Sequence, residues 1–427
     1  MFAFRPAVWA GSAVACAGSL LLGGCSEEGS TGKETMEFSE MSTWTPSQDS
    51  PLFAVHYMPW FNNPETSERG RKEWSHWAWT DGKTVNDPLL RDADGQRGIA
   101  SVDYPLIGPY SSDDPDVVRY HFRTMRSVGI DAVFIIWYGP GSDTDQLVPM
   151  LLDEAERAGL RLAICYEEKL NWPEYRNPES RADIVNTATD DLNYILSEYS
   201  GHPAYLHRGQ KPFIYQFNFW GEGDLGKNNI LPAEWEQVFS SLDQSVAYAR
   251  QNLNPEYHPE IGGAYVWWSE DESYLRDFAE YSRSMVDADR LEFFMTMAAP
   301  GFDDSGVNGW GHGARVSSDR GPGMLQKTLE IAVEGDPEVI QLVTWNDFNE
   351  GTALEPTVRF GYQYLDALEE FIASVTGRSA EFSDNRSALR EYLKRASEKQ
   401  RVELAPGVEE YLEAPMSQVD EAQTQAE

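Results

Sequence analysis

Seven short apolar runs alternate with amphipathic helical segments along the chain, and this alternation constrains the fold more than any other feature. The runs are Phe53–Tyr57, Ala132–Trp137, Arg161–Tyr166, Pro212–Phe217, Ile261–Trp267, Leu291–Met297 and a last one starting at Val339. Between and after them, helical periodicity covers Asp116–Val128, Asp145–Ala158, Arg181–Tyr199, Pro232–Gln251, Glu272–Met285, Met324–Val333 and Gly361–Val375. Ala132–Trp137 is apolar throughout, as a parallel strand covered on both faces must be. Strand alternating with helix builds a parallel sheet, and eight such units close a (β/α)8 TIM-type barrel. The expected eighth strand is irregular and falls near Tyr205–His207 or within Ser101–Tyr110. No internal repeat is visible.

The start of the chain reads as an address. Arg5 precedes an apolar, small-residue run from Ala7 to Leu22, and Leu22-Gly23-Gly24-Cys25 follows. A positive start, an apolar stretch and small residues at a cut are the parts of a secretory signal. The cysteine directly after the small pair looks like a bacterial lipobox. Residues 1–25 are therefore expected to be a lipoprotein signal peptide, with Cys25 lipidated and anchoring the mature chain to a membrane. The run is too short to be a good spanning helix. Ser26, standing where Asp would signal inner-membrane retention, points to the outer membrane or cell surface of a bacterium. Residues 26–50 are rich in Ser, Thr, Glu and Gly without periodicity, which describes a flexible linker. The barrel is expected over 51–377, and 378–427 holds a further helix, Ser387–Lys399, and an acidic tail.

Charge narrows the partners. Lys plus Arg total 34 against 70 Asp plus Glu, a formal charge of -36. Nucleic-acid binders carry basic stripes, so that class is excluded. Of the three cysteines, Cys16 leaves with the signal, Cys25 carries the lipid, and Cys165 sits in an apolar run as a core thiol. The seven histidines show no metal-ligand spacing, and no phosphate loop, nucleophile elbow or dinucleotide fingerprint is present. The expectation is catalysis without metal or organic cofactor, by a monomer. A structural cation near Asp303 and Asp304 is the weaker alternative.

Strand C-terminal ends converge on one face of a barrel. Just past the strands stand Tyr57, Trp60, Trp137, Tyr138, Tyr166, Glu167, Asn218, Trp220, Trp267, Trp268, Asp303, Asp304, Trp345, Asn346, Asp347 and Glu350. A long loop after the first strand adds Trp74, His76, Trp77 and Trp79. Aromatic faces suit the C–H faces of sugar rings, and acids and amides suit hydroxyls, so the ligand is a carbohydrate. Asp347 and Glu350 lie three residues apart, framed by Trp345, Asn346, Phe348 and Asn349. Glycoside cleavage uses such a pair, one acid protonating the leaving oxygen and one carboxylate acting as base or nucleophile. Three residues span at most roughly 10 Å, which admits either the short retaining or the longer inverting separation.

The ordered motifs His56-Tyr57-Met58-Pro59-Trp60-Phe61, Gly129-Ile130-Asp131-Ala132, Ala299-Pro300-Gly301-Phe302-Asp303-Asp304 with Arg315, and Trp345-Asn346-Asp347-Phe348-Asn349-Glu350-Gly351-Thr352 with Glu355-Pro356 resemble the glycoside hydrolase family 71/99-like proteins. That group includes endo-α-mannosidases and α-1,3-glucanases. Family 99 has Glu where this chain has Asp347, and Trp-His where it has Phe348-Asn349; family 71 agrees at Asp347. The resemblance implies Glu350 as general acid and Asp347 as general base, toward water or toward the sugar 2-hydroxyl. It implies Glu167 as a hydroxyl ligand beside the reacting ring and Arg315 as a residue fixing the pocket. The expected activity is endo-acting cleavage of α-glycosidic bonds. Its rivals are a surface glycan-binding protein that has lost catalysis on the same barrel, which the presence of both acids disfavours, and a lyase or transferase.

Overall fold

The computed structural model describes residues 43–44, 50–81, 83–167, 180–217, 230–251, 262–378 and 393–399. Cys25 and the signal, nearly all of the linker, Asn218, Trp220 and the tail from Glu403 lie outside the described residues.

Eight parallel strands form a closed ring: β1 (Leu52–Tyr57), β2 (Ala132–Trp137), β3 (Arg161–Glu167), β4 (Lys211–Phe217), β5 (Ala247–Arg250), β6 (Gly263–Tyr265), β7 (Phe293–Ala298) and β8 (Val339–Leu342). Each pairs with the next, and β8 pairs back to β1. Short additions lie outside the ring, among them Thr43–Trp44, which pairs parallel with His207–Arg208. Trp79–Thr80 and Val85–Asn86 form a ribbon in the loop after β1, and His207–Arg208 pairs antiparallel with the start of β4.

The eighth strand is not where the sequence reading placed it. Tyr205 makes one parallel bridge to Leu162, and Ser101–Tyr110 is a buried loop. The missing strand is β5, inside the segment expected to be helix Pro232–Gln251. Ala-Tyr-Ala-Arg has no β-branched run, so local propensity does not mark it. Burial does: all four residues are inside, and Arg250 lies over the Trp235 ring. The helix stops early, at Ser240.

The outer layer is α1 (Pro115–Ser127), α2 (Val148–Ala158), α3 (Arg181–Glu198), α4 (Pro232–Ser240), α5 (Glu272–Asp287), α6 (Pro322–Glu334) and α7 (Gln363–Thr376). Asp114, Ser180 and Asp271 cap α1, α3 and α5 through their side-chain oxygens. Trp77, Trp137, Trp235 and Trp345 are wholly buried, and truncating one of them to Ala costs about 3–5 kcal/mol. Gly263 admits the Phe293 ring where a Cβ would come within 2.2 Å of it, which fits β6 against β7. Cys165 is a buried free thiol on β3, and burial pushes its pKa up.

A polar layer crosses the barrel interior. His56 Nε2 lies 3.0 Å from Gln341 Oε1, and the Tyr215 hydroxyl donates to the same oxygen at 2.9 Å. Burial lowers the His56 pKa to about 3, so a neutral imidazole floors the region where β1 and β8 deliver their ends. At the other end of the chain, Leu393 and Ala396 are buried in the main hydrophobic cluster, and Lys399 pairs with Asp114 at 3.0 Å. The last described helical turn therefore packs on the barrel. Among the described residues no helix is long and apolar enough to cross a membrane.

Candidate active site

The acid turn after β8 is built by its own polar side chains. Thr344 Oγ1 accepts the Asp347 N–H at 2.8 Å, Asp347 Oδ1 accepts the Glu350 N–H at 3.0 Å, and the Thr344 and Thr352 hydroxyls lie 3.0 Å apart. Trp345 N–H donates to His56 O at 2.7 Å, prolonging the β8–β1 ladder. Asn346 clamps the end of β1, accepting Met58 N–H at 2.8 Å and donating to Met58 O at 3.1 Å. Asn349 donates to His76 O and Ala100 O, each at 2.8 Å, tying the turn to the long loop after β1. The two amides thus tie the turn to neighbouring backbone on either side of Asp347, with Glu350 directly after Asn349.

Asp347 is 3% exposed, and the Glu350 side chain 20%. Burial is the largest influence on both, and it raises both pKa values. Asp347 is pushed well above the ordinary carboxylate range, with the Glu350 and Glu167 charges adding to the effect. For Glu350 the rise is opposed by Trp310 Nε1–H, which donates to its Oε1 at 3.2 Å, and by Arg315, 3.9 Å from the same oxygen. Burial raises both groups, so the pair retains a proton where an isolated carboxylate would be ionised.

The loop after β7 closes against this turn. Asp303 N–H donates to Glu350 O at 2.8 Å, while the Asp303 carboxylate accepts from Ser305. Arg320 donates to Gly351 O at 2.7 Å and pairs with buried Asp103. Arg315 is 63% exposed, yet its guanidinium lies over Phe302 and binds fully buried Asp304 through Nε at 2.7 Å and a terminal nitrogen at 2.6 Å. The Asp304 carboxylate is therefore already matched by an arginine. Among the described residues, no three His, Cys, Asp or Glu side chains assemble as a metal cage.

The strand-end residues divide into two sets. Trp60 is half-buried and stacks on His76 at 4.5 Å and 9°, with Tyr138 parallel beyond it at 6.5 Å and 10°. Trp267, also half-buried, stands edge-on to Phe217 and His56. Glu167 is nearly buried, and its charge acts on both acids. The expectation that Tyr57, Trp137, Tyr166 and Trp345 bind substrate needs correction, because none is more than 1% exposed. All four point toward the helix layer. Tyr57 and Trp345 meet His121 of α1, Trp137 donates to Asp145 at 2.8 Å, and Tyr166 reaches Asp191 of α3. They support the pocket from behind. Asn346 is likewise a clamp with no exposed surface.

Several contributors escaped the sequence reading. His76 appeared there only as one member of an aromatic loop, and Trp310 not at all. A buried chain runs from Asn346 Nδ2 to the Tyr110 hydroxyl (3.0 Å), from that hydroxyl to Glu355 (2.8 Å), and from Glu355 to His121 (3.3 Å). Glu355-Pro356 was visible as a motif, but nothing in its spacing assigned Glu355 a partner.

The Glycosyl hydrolase family 99 profile matches residues 49–252, which run from β1 to β5; the acid turn lies beyond them. Glycoprotein endo-alpha-1,2-mannosidase of Mus musculus is 25% identical over 342 residues, covering 71% of this chain and 67% of the relative. Glycoprotein endo-alpha-1,2-mannosidase-like protein of Homo sapiens is 24% identical over 369 residues, covering 78% and 75%. The fold resembles that of the GH99 endo-alpha-mannosidase from Bacteroides thetaiotaomicron, with TM-score 0.58, 21% identity and coverage of 78% of this chain and 99% of that one. Together with the closed eight-stranded barrel, these likenesses indicate a glycoside hydrolase similar to those of family 99, an enzyme that acts on a carbohydrate.

Proposed function

We propose that the chain is an endo-acting α-glycosidase, exported and held at a bacterial membrane surface by a lipid on Cys25, in which Glu350 is the general acid and Asp347 the general base. The observation that carries the reading is the pair itself: two shielded carboxylates on one rigid turn, each raised by burial and by like charge. The α-linkage and endo action come from the activities named for the relatives. The sugar is read more coarsely, as an α-linked hexose chain, because Asp347 and Phe348-Asn349 depart from the family 99 pattern.

In the bond-breaking step Glu350 gives its proton to the leaving oxygen as the C1–O bond opens. Asp347 takes a proton from one of two donors. If the donor is water, the water oxygen attacks C1 and configuration inverts. If it is the sugar 2-hydroxyl, that oxygen closes on C1, and water later opens the anhydro-sugar with Glu350 acting as base. Either route needs Asp347 ionised and Glu350 protonated, one proton held by the pair. A hydroxyl donating to Asp347 stabilises its charged form, and a glycosidic oxygen accepting from Glu350 stabilises its protonated one. Substrate binding would therefore favour the shared proton on Glu350, the order the reaction needs.

Incubation of the soluble domain with α-mannans, α-glucans and marine polysaccharides, with products separated by chromatography, tests the activity. Release of internal oligosaccharides from an α-linked polymer is expected. Retention of such polymers without any cleavage would move the glycan-binding reading ahead. For the anchor, intact-mass analysis of membrane-fraction protein should find an acylated chain beginning at Cys25. A chain beginning at Met1 would refute it.

A further inference from the structure

The segment between Asp304 and Arg315 is a closed loop beside Glu350. Its neck is held by Asp304 N–H donating to Arg315 O at 3.1 Å and by the Asp304–Arg315 ion pair at 2.6 Å. Inside, Val307 and Gly309 N–H donate to Asp304 O, and Gly313 N–H donates to Asn308 O at 2.9 Å. Gly309 has a φ of 58°, and a Cβ there would stand 2.1 Å from Gly313 O. Asn308 and Trp310 also take positive φ, 49° and 55°, a region that side chains other than glycine rarely occupy. Asn308 Nδ2 donates to Asp81 Oδ2 at 2.8 Å, and the Trp310 ring stands edge-on to Trp79 at 5.4 Å and to His76 at 6.1 Å. All of this strain and bracing delivers one donor: Trp310 Nε1–H, 3.2 Å from Glu350 Oε1. Strained non-glycine backbone persists where its surroundings over-determine it, and it clusters at functional sites.

We propose that Trp310 is a positioning residue for the acid step: its indole N–H occupies Oε1 of Glu350, so that Oε2 is the oxygen that carries and delivers the proton. Arg315, 3.9 Å from the same Oε1, reinforces the assignment, since its positive charge also lies on the Oε1 side and leaves Oε2 to the substrate. The inference rests on Glu350 being the acid. A sugar-stacking wall alone would need the ring face but not the N–H.

The test replaces Trp310 with benzothienylalanine, which keeps the bicyclic shape and has sulfur in place of N–H, alongside Trp310→Phe and Glu350→Gln. Turnover is measured on the natural glycan and on an α-glycosyl fluoride, whose departure needs little protonation. Benzothienylalanine should lower kcat on the glycan roughly 10- to 100-fold, the scale of one hydrogen bond to a charged group, and leave turnover of the fluoride within about 2-fold of wild type. The N–H favours ionised Glu350, so its loss should also move the alkaline limb of kcat/KM to higher pH. Equal losses on both substrates with an unmoved alkaline limb would make Trp310 a wall and overturn the proposal. Failure of the fluoride to rescue Glu350→Gln would overturn the acid assignment itself, a distinct outcome read from a distinct variant. If Trp310→Phe misfolds, the analogue still decides, because it changes one atom position of the ring.

Discussion

Asp145 and Asp347 are both buried carboxylates that follow strand ends of one barrel, and their surroundings are opposite. Asp145 accepts from Trp137 Nε1 at 2.8 Å, from Gly141 N–H at 2.7 Å, and from the hydroxyls of Tyr194 and Tyr199. Among the described residues Asp347 accepts only from backbone N–H groups, those of Glu350 and Asn349, and its charged neighbours are the acids Glu350 and Glu167. The exposures hardly differ, 5% against 3%. Burial alone therefore does not make a reactive acid. A carboxylate ringed by donors is part of the frame, whereas one set among other carboxylates holds a proton it can exchange. Asp304, matched by Arg315, belongs with Asp145.

The largest difference should appear in turnover. Asp347→Asn and Glu350→Gln should each lower kcat by about 10²- to 10⁴-fold, the range that general acid-base catalysis supplies, measured on the polysaccharide they cleave. Asp145→Asn should leave kcat of the folded enzyme within about 2-fold of wild type. A turnover loss at Asp145 as large as at Asp347 would erase the distinction.

Stability should run the other way. Asn at 145 turns one oxygen into a donor that faces donors, so Asp145→Asn should cost about 1–3 kcal/mol in denaturant unfolding. Asp347→Asn should stabilise, and its effect should depend on pH. The folded pKa of Asp347 lies above its unfolded value, so the folded state binds the proton more tightly and stability falls as pH rises through the folded pKa. The amide removes that loss. Its thermal midpoint should exceed wild type at neutral and alkaline pH, and the gain should vanish below the unfolded carboxylate value of about 3.9. A gain constant with pH would mean that the ionisation of Asp347 is not what burial penalises.

The subtlest effect is on the rate profile. Activity needs one proton on the pair, so kcat/KM should be bell-shaped, with its limbs belonging to the pair as a whole. Both limbs should lie above the ordinary carboxylate range, because both groups are raised. An acid limb near the value of a free carboxylate would argue that the pair is solvated in the working enzyme.

Much of this was legible in the sequence, and the gaps have physical causes. Seven of the barrel strands announce themselves as apolar runs, while β5 does not, because Ala-Tyr-Ala-Arg has helix-like composition and becomes a strand through tertiary pairing with β4 and β6. The acid turn was readable because polar residues end an apolar run abruptly. Which strand-end aromatics open to the pocket was not. A strand covered on both faces has no polar alternation to distinguish the pocket side from the helix side, so Trp60 and Trp137 look alike until Trp137 is seen bonded to Asp145. Trp310 was hidden because Gly309-Trp310-Gly311-His312-Gly313 reads as a plain loop, and its role depends on Asp304 and Arg315 closing the neck.

The most direct measurement is rescue by leaving group, with Glu350→Gln and Asp347→Asn assayed on the polysaccharide and on an α-glycosyl fluoride. The division of labour between the acids predicts that Glu350→Gln recovers its first step on the fluoride, because only proton donation is missing. Asp347→Asn stays slow on both substrates, because the attacking group must be activated whatever leaves. Rescue of Asp347→Asn and not of Glu350→Gln would exchange the two roles, and near-wild-type turnover by both variants on the polysaccharide would contradict the assignment of catalysis to this pair.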